Sequence, residues 1–214
     1  TQAALGPPSV SLLVGAFVFG LCMQITDGCG SGTLYKAGLG VPLNMAVLPL
    51  FALGSFMGSV HLNGWLALGA LPPVGLVPLW GAGGGVAAPL GALALVARGV
   101  GLWSGRHFSL RTLPARWIWG AVVLALFAAL NLFIAGQPWG VVYGFGLWAA
   151  KVASATGAVD LASNWFWSQP GNAQRLGETV LMDITSITNI GILGGALWAS
   201  AGKPVQAQAL SGTQ

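Results

Sequence analysis

Long apolar runs, broken by short polar or glycine-rich segments, make up most of this chain. A helix needs about twenty mostly apolar residues to cross about 30 Å of hydrocarbon. Runs that meet or approach this length lie at 9–25, 41–60, 86–103 and 117–135. The apolar residues are continuous rather than alternating, so the pattern predicts an all-α, polytopic α-helical membrane protein.

Three other segments are apolar but carry features that interrupt a span. Residues 61–85 contain three prolines that would break a helix, so they are predicted to form an interfacial loop with short helical pieces. Residues 137–155 carry Lys151, and the pattern leaves open whether they cross the bilayer or re-enter it. Residues 176–200 form a further predicted span with a polar strip that includes Asp183.

Charge is scarce and unevenly placed. Charged residues make up 6% of the 214 residues, against about a quarter in a soluble domain, which excludes a water-facing surface over most of the protein. The net charge is +4, and the basic side chains concentrate in residues 98–116, as is typical of a cytoplasmic loop rather than a nucleic-acid patch. We therefore predict one transmembrane domain at 1–203, embedded in membrane lipid, with a disordered tail at 204–214 and no nucleic-acid partner.

Tryptophans cluster near the ends of the predicted spans. The amphipathic indole ring favours the interface between lipid and water. We interpret the following residues as an interfacial belt: Trp65, Trp80, Trp103, Trp117, Trp119, Trp139, Trp165 and Trp167.

The most informative segment is the glycine-rich stretch at residues 26–40, where Cys29 lies among closely spaced glycines. Glycines at this density end a helix and let a ligand approach main-chain N–H groups. Non-helical backbone at membrane depth is tolerated only where it is buried in protein or lines a watery cavity, so the stretch is predicted to be a re-entrant loop along a transport pathway. The candidate pathway residues are Cys29, Gly28, Gly30, Ser31, Gly32, Thr33 and Gln24.

The two cysteines are interpreted differently. Cys29 would add a soft, polarisable contact to the positive N-terminus of a helix that restarts after the break. Cys22 is more simply an ordinary small buried residue. A disulfide between them is disfavoured because seven helical residues rise about 10 Å, beyond the usual limit of about 7 Å. Their spacing, far from both histidines, matches no metal pattern, so we predict no metal and no cofactor.

Residues 28–35 read Gly-Cys-Gly-Ser-Gly-Thr-Leu-Tyr, a specific octapeptide, and follow Phe19-Gly20 and Met23-Gln24. This pattern resembles the YeeE/YedE family of sulfur-transport membrane proteins. Weaker similarity continues through residues 53–62, residues 144–151, Trp167 and residues 183–186.

The resemblance implies an inverted-repeat, transporter-like architecture, with re-entrant loops from both faces and no enzymatic activity. It further implies uptake of thiosulfate, or a related small sulfur or selenium species, across the bacterial inner membrane. Cys29 matches a family cysteine that hands the anion along, and a small cytosolic sulfur-carrier protein is an implied partner. The family's further cysteines are missing and the sequence begins at Thr1, so we expect it to be a piece of a longer protein.

Two alternative hypotheses stay open at this point. One is a membrane-embedded sulfurtransferase or thiol-redox enzyme, which needs an activated thiolate, although Lys36 and Asp27 form no obvious activated pair with Cys29. The other is a structural fragment that transports nothing. Because burying an ionisable group in a membrane is costly, such groups are functional candidates by default. Cys22, Lys151 and Asp183 are therefore secondary candidates, with a Lys151–Asp183 ion pair as the structural alternative.

Overall fold

The computed structural model describes residues 6–105, 114–138 and 140–202. A 3₁₀ turn at Val180–Met182 precedes the last helix, and the strand content of these ranges is limited to one isolated bridge between Ser9 and Ala70. The helices are α1 Val10–Thr26, α2 Gly30–Gly38, α3 Pro42–Val60, α4 Leu62–Leu66, α5 Leu76–Ser104, α6 Ala115–Ala135, α7 Val141–Ala155, α8 Pro170–Gly177 and α9 Ile184–Ser200.

Four of the described stretches are long and apolar enough to cross a membrane: Val10–Gly38, Pro42–Val60, Leu76–Ser104 and Ala115–Ala135. This confirms the prediction of an all-α, polytopic membrane protein. The first of these stretches is divided in the structure, because the helix stops at Thr26 and restarts at Gly30.

The helices belong to two compact units. One unit, Thr1–Pro8 and Leu71–Pro138, contains α5 and α6, whose described residues are all accessible and mostly apolar, as suits contact with lipid. The other unit, Ser9–Ala70 and Trp139–Gln214, contains α1 to α4 and α7 to α9. It also holds every buried hydrophobic residue in the described part of the chain, and with them the candidate site.

Two clusters of buried apolar side chains hold the second unit together. In one, Phe56 of α3 packs with Leu147 of α7 and with Trp167. In the other, Leu34 of α2 packs with Phe145 of α7. Helix α7 therefore packs against both α3 and α2, and it connects both clusters.

Helix α2 runs back along α3. A Cβ atom at Gly30, where α2 begins, would lie 2.8 Å from the ring of Phe51, which is near the middle of α3. The end of α1 lies instead at the start of α3, because Asn44 Nδ2 donates to the Thr26 carbonyl over 3.1 Å. Between Thr26 and Gly30 the chain thus passes from beside the start of α3 to beside the middle of α3. Helix α2 then returns toward the start of α3.

Helix α7 also begins beside the middle of α3, but it leaves in the opposite direction. Ser55 Oγ donates to the Val142 carbonyl in the first turn of α7 over 3.0 Å, and later residues of α7 pack near the end of α3. The starts of α2 and α7 meet, since a Cβ atom at Gly30 would lie 3.5 Å from Val142. Two part-length helices thus have their N-termini together, while the re-entrant loop and the inverted repeat stay predictions.

Two predicted boundaries need correction. The segment 61–85 is not a loop throughout, because α5 begins at Leu76. Pro78 is tolerated there since it is the third residue of α5, where the N–H has no helical partner to lose, and Gly81 takes up the break with a φ of 69°. The span predicted at 176–200 is not continuous either: α8 ends at Gly177, and α9 begins only after the 3₁₀ turn.

Trp167 is another correction, because it belongs to the core and not to an interfacial belt. It is 1% exposed, and its indole N–H donates to Ser59 Oγ over 3.0 Å. A buried indole needs such a partner. The other described tryptophans of the proposed belt are exposed, and Trp139 lies outside the described residues. The predicted tail at 204–214 and residues 106–113 of the basic segment also lie outside them.

Candidate functional site

The break between α1 and α2 is held by specific hydrogen bonds. Asp27 ends α1 in the left-handed region, with a φ of 53°. Thr26 Oγ1 donates to the carbonyls of Cys22 and Gly28, both over 3.1 Å, and so ties the end of α1 to the turn that follows. The loop conformation is therefore fixed by its own side chains before any ligand is considered. We call residues 28–33 the cysteine loop.

Cys29 is the residue immediately before the first turn of α2. Its carbonyl accepts the first helical hydrogen bond, from the Thr33 N–H over 2.8 Å. Its side chain makes no capping bond to the described residues. As in any α-helix, the first N–H groups of α2, those of Gly30, Ser31 and Gly32, lack intrahelical partners. These amides and the positive end of the helix dipole favour an anion beside the Cys29 thiol.

The Cys29 sulfur lies on the open side of the cysteine loop. Sγ is 3.2 Å from Ser31 Oγ, and a Cβ atom added to Gly32 would lie 3.7 Å from it. Ser31 is exposed, and Cys29 and Gly32 are half-buried. A small ligand approaching this side would meet a thiol, a hydroxyl and main-chain amides together.

The opposite side of α2 is packed. Thr33, Leu34 and Ala37 are buried against neighbouring helices, and Gly38 lies so close to α9 that an added Cβ would be 2.7 Å from that of Ala196. Gly30 belongs to this packed side, through its contact with Phe51. The predicted pathway residues thus divide, with Gly30 and Thr33 supporting the loop and Cys29, Ser31 and Gly32 facing outward.

A second polar region forms around Asp183, the residue before α9. Asp183 is buried at 3% exposure, and its Oδ2 accepts from Ser186 N and Ser186 Oγ, each over 2.7 Å, and from Thr185 Oγ1. Trp148 Nε1 of α7 donates to Ser186 Oγ over 2.8 Å. The carboxylate therefore closes the N-terminus of α9 from within, and it fastens that end to α7 through Ser186.

Asp183 pairs with Arg175 rather than with Lys151. Arg175 Nε lies 3.9 Å from Asp183 Oδ1, and its guanidinium lies 5.2 Å from the centre of the Tyr143 ring. Lys151 instead donates to three main-chain carbonyls at the end of α8: those of Arg175 over 2.7 Å, Leu176 over 2.8 Å and Glu178. The alternative of a Lys151–Asp183 ion pair is therefore wrong, because the Lys151 ammonium is bound by the carbonyl groups at the end of α8 instead.

The structure thus places the candidate residues of the cysteine loop close together, and the other candidates lie outside that loop. Cys22 and Gln24 are exposed on α1, and both cysteines are free thiols. Lys151 and Asp183 belong to the polar region at the start of α9. Sequence reasoning missed Asn44, which is 1% exposed and fixes the end of α1. Its position in an apolar stretch was the only available signal.

These features define a multi-pass α-helical membrane protein whose broken helix presents a thiol and open main-chain amides within the helical unit. The chain belongs to the sulphur-transport family, whose model matches residues 1–210. This confirms the resemblance to the YeeE/YedE sulfur-transport proteins. Searches of curated proteins and of solved structures found no match.

Proposed function

We propose that the protein moves thiosulfate, or a related small sulfur or selenium species, across the bacterial inner membrane along a path lined by the cysteine loop. The observation that carries this proposal is the position of Cys29. It precedes a helix that starts beside the middle of α3, and its sulfur is on the accessible side of that helix. The family supports transport of sulfur in general; the particular substrate is our proposal.

Both ends of the thiosulfate ion match the chemistry of the cysteine loop. Its oxygens carry negative charge, which the unpartnered N–H groups of the first turn of α2 would receive. Its terminal sulfur is soft and polarisable, and so is the Cys29 thiol, which can donate an S–H hydrogen bond to it. A passing contact of this kind holds the anion without forming a covalent bond and so lets it move on.

The proposal is tested by growth on thiosulfate in bacteria that lack sulfate uptake and express the protein. Cys29→Ala is expected to abolish growth, while Cys22→Ala is the matched control and is expected to preserve it, because Cys22 lies exposed on α1. Equal membrane levels of both variants are checked by immunoblot. Growth of the Cys29→Ala strain at the parental rate would contradict the assignment.

The same variants separate transport from enzymatic sulfur transfer. A sulfurtransferase would carry a sulfur atom covalently on Cys29 during turnover. Mass spectrometry of protein isolated from thiosulfate-fed cells is expected to show Cys29 as an unmodified thiol. A persulfide on Cys29 in most molecules would favour the enzymatic hypothesis instead.

A further inference from the structure

Asn44 is a buried polar residue in the first turn of the apolar helix α3, and it is bonded to the end of α1. Its side chain is 1% exposed, and its Nδ2 donates to the Thr26 carbonyl over 3.1 Å. That carbonyl lies in the last turn of α1, where main-chain carbonyls have no intrahelical donor. Burying an amide or a carbonyl is costly unless it is hydrogen-bonded, so each group satisfies the other.

This bond is the buried attachment of the end of α1. None of the residues of α1 is buried, so apolar packing contributes little to holding that end. A second tie comes from α2, where Lys36 Nζ lies 2.5 Å from both the carbonyl and Oδ2 of Asp27. The Asp27 side chain is 63% exposed, and water competes with exposed pairs of this kind. We therefore expect loss of the Asn44 side chain to loosen this end more than loss of Lys36.

The hydrogen bonds continue from Thr26 to the residue before Cys29. Thr26 Oγ1 donates to the Gly28 carbonyl over 3.1 Å. This carbonyl belongs to the planar peptide that joins Gly28 to Cys29, so its orientation limits where the Cys29 Cα atom can lie. Gly28 also lies against the first turn of α2, because a Cβ atom added to it would be 3.4 Å from Thr33 N. Two hydrogen bonds thus connect Asn44 of α3 to the peptide that precedes the thiol.

We propose that Asn44 is a positioning residue, which holds the Cys29 thiol in place along the transport path by fixing the turn from Thr26 to Gly28. The inference rests on the proposed function and adds the residue that sets where its thiol lies. Asn44 contacts neither the thiol nor the transported anion; it acts through Thr26. A contact between two reacting groups is sensitive to displacements of about 1 Å, so a loosened turn lowers the uptake rate without removing the thiol.

A nitroxide spin label attached to Cys29 in the Cys22→Ala protein measures the position of the thiol without requiring transport. Asn44→Leu removes the donor at similar size, and it is expected to give a sharper, more mobile spectrum than the parent. Thr26→Val keeps the carbonyl that Asn44 binds but removes the hydroxyl that holds Gly28, so it should sharpen the spectrum as well. Thr26→Ser restores the hydroxyl and should restore the parental spectrum. A parental spectrum in both Asn44→Leu and Thr26→Val overturns the inference.

Asn164→Leu is the matched control for general loosening of the fold. Asn164 Nδ2 donates to the carbonyl of Val60, the last residue of α3, over 3.0 Å, so this variant loses the same kind of bond at the other end of α3. It is expected to lower the melting temperature while leaving the Cys29 spectrum parental. If Asn164→Leu sharpens that spectrum as much as Asn44→Leu does, Asn44 only stabilises the fold and the inference is overturned.

Uptake of radiolabelled thiosulfate by cells with an unlabelled thiol completes the test. Asn44→Leu and Thr26→Val are each expected to lower the maximal rate per folded molecule about tenfold, and Thr26→Ser and Asn164→Leu to stay within about threefold of the parent. The double variant of Asn44 and Thr26 should lose no more than either single variant, because both break the same connection. Parental rates in both single variants overturn the inference and leave the proposed function standing. Absence of uptake by the parent defeats the proposed function, and the inference falls with it.

Discussion

Two helix N-termini in the same unit differ in their capping: a carboxylate caps α9, and the described residues supply no side-chain cap to α2. At the start of α9, Asp183 accepts from Ser186 N, Ser186 Oγ and Thr185 Oγ1, and the cap is buried. At the start of α2, Cys29 supplies no capping bond to the described residues, and its sulfur stays on an accessible side. Both ends have the positive end of a helix dipole and first-turn N–H groups that lack an intrahelical partner.

The difference distinguishes a helix end whose cap stabilises the fold from a helix end that is left accessible to a ligand. A carboxylate at the N-cap neutralises the helix end permanently, which stabilises the fold and excludes an external anion. A thiol at the N-cap is a weaker hydrogen-bond acceptor than a carboxylate, so it leaves the first amides of the helix more available to an external anion. We therefore expect changes at the start of α9 to affect folding most, and changes in the cysteine loop to affect transport most.

The largest effect is expected for Asp183→Ala. The substitution leaves the Ser186 N–H and two hydroxyls without their buried acceptor, and it removes the carboxylate that lies beside Arg175. Breaking a buried charge network typically costs about 3–5 kcal/mol. The yield of monodisperse protein after detergent extraction should collapse, and Asp183→Asn should lower it less while leaving substrate preference unchanged. A parental melting temperature for Asp183→Ala would mean that the α9 cap is not structural.

Lys151→Met should have the next largest effect. It removes the donor to three carbonyls at the end of α8, and hydrogen bonds to charged groups are worth about 1.5–3 kcal/mol. The expected outcome is a lower melting temperature with KM for thiosulfate unchanged in the molecules that fold. Lys151→Arg keeps the charge and should recover part of the loss. A changed KM with an unchanged melting temperature would place Lys151 in the pathway instead.

A matched pair of glycines sharpens the comparison within the cysteine loop. Gly30→Ala would bring its Cβ to 2.8 Å from the Phe51 ring, so the core must shift, which costs about 1–3 kcal/mol. Gly32→Ala would meet only the Cys29 sulfur in the described structure, at 3.7 Å, and should leave stability within about 0.5 kcal/mol. Thermal melting should therefore separate the two variants. Equal melting temperatures would show that α2 does not pack against α3 at Gly30.

The smallest effect is expected for Ser31→Ala. Its hydroxyl lies 3.2 Å from the Cys29 sulfur on the accessible side of α2, where a lost hydrogen bond is replaced by water. Folded yield should be unchanged and the KM for thiosulfate should rise by no more than a few-fold. A complete loss of uptake at normal membrane levels would make Ser31, rather than Cys29, the principal ligand.

Sequence patterns were sufficient where one physical effect dominates. Apolar runs set the positions of α1, α3 and α6, because the length of an apolar run limits how far a helix can extend in lipid. The glycine cluster located the break before α2, because glycine favours helix ends, although Gly30 and Gly32 themselves belong to the first turn of α2. The role of Cys29, inferred from its neighbours in sequence, stays a prediction.

The same sequence patterns could not predict contacts between residues that are distant in the chain. Lys151 donates to main-chain carbonyls at the end of α8. A sequence does not show which carbonyls a fold brings near a lysine, so an acidic residue was considered as its partner. Trp167 looked interfacial because it lies in a polar, aromatic segment, yet Ser59 supplies the one hydrogen bond that lets it enter the core. The pairing of Lys36 with Asp27 was not predicted either, because the backward reach of the Lys36 side chain depends on the fold of the loop.

The most direct measurement is the accessibility of the two thiols in membrane vesicles. A charged, water-soluble methanethiosulfonate reagent is applied to the Cys22→Ala and Cys29→Ala variants, each of which keeps one thiol. We expect rapid labelling of Cys29, slowed by added thiosulfate, and labelling of Cys22 only by a lipid-soluble maleimide. Labelling of Cys29 by the lipid-soluble reagent alone, with no effect of thiosulfate, would contradict an aqueous path along the start of α2.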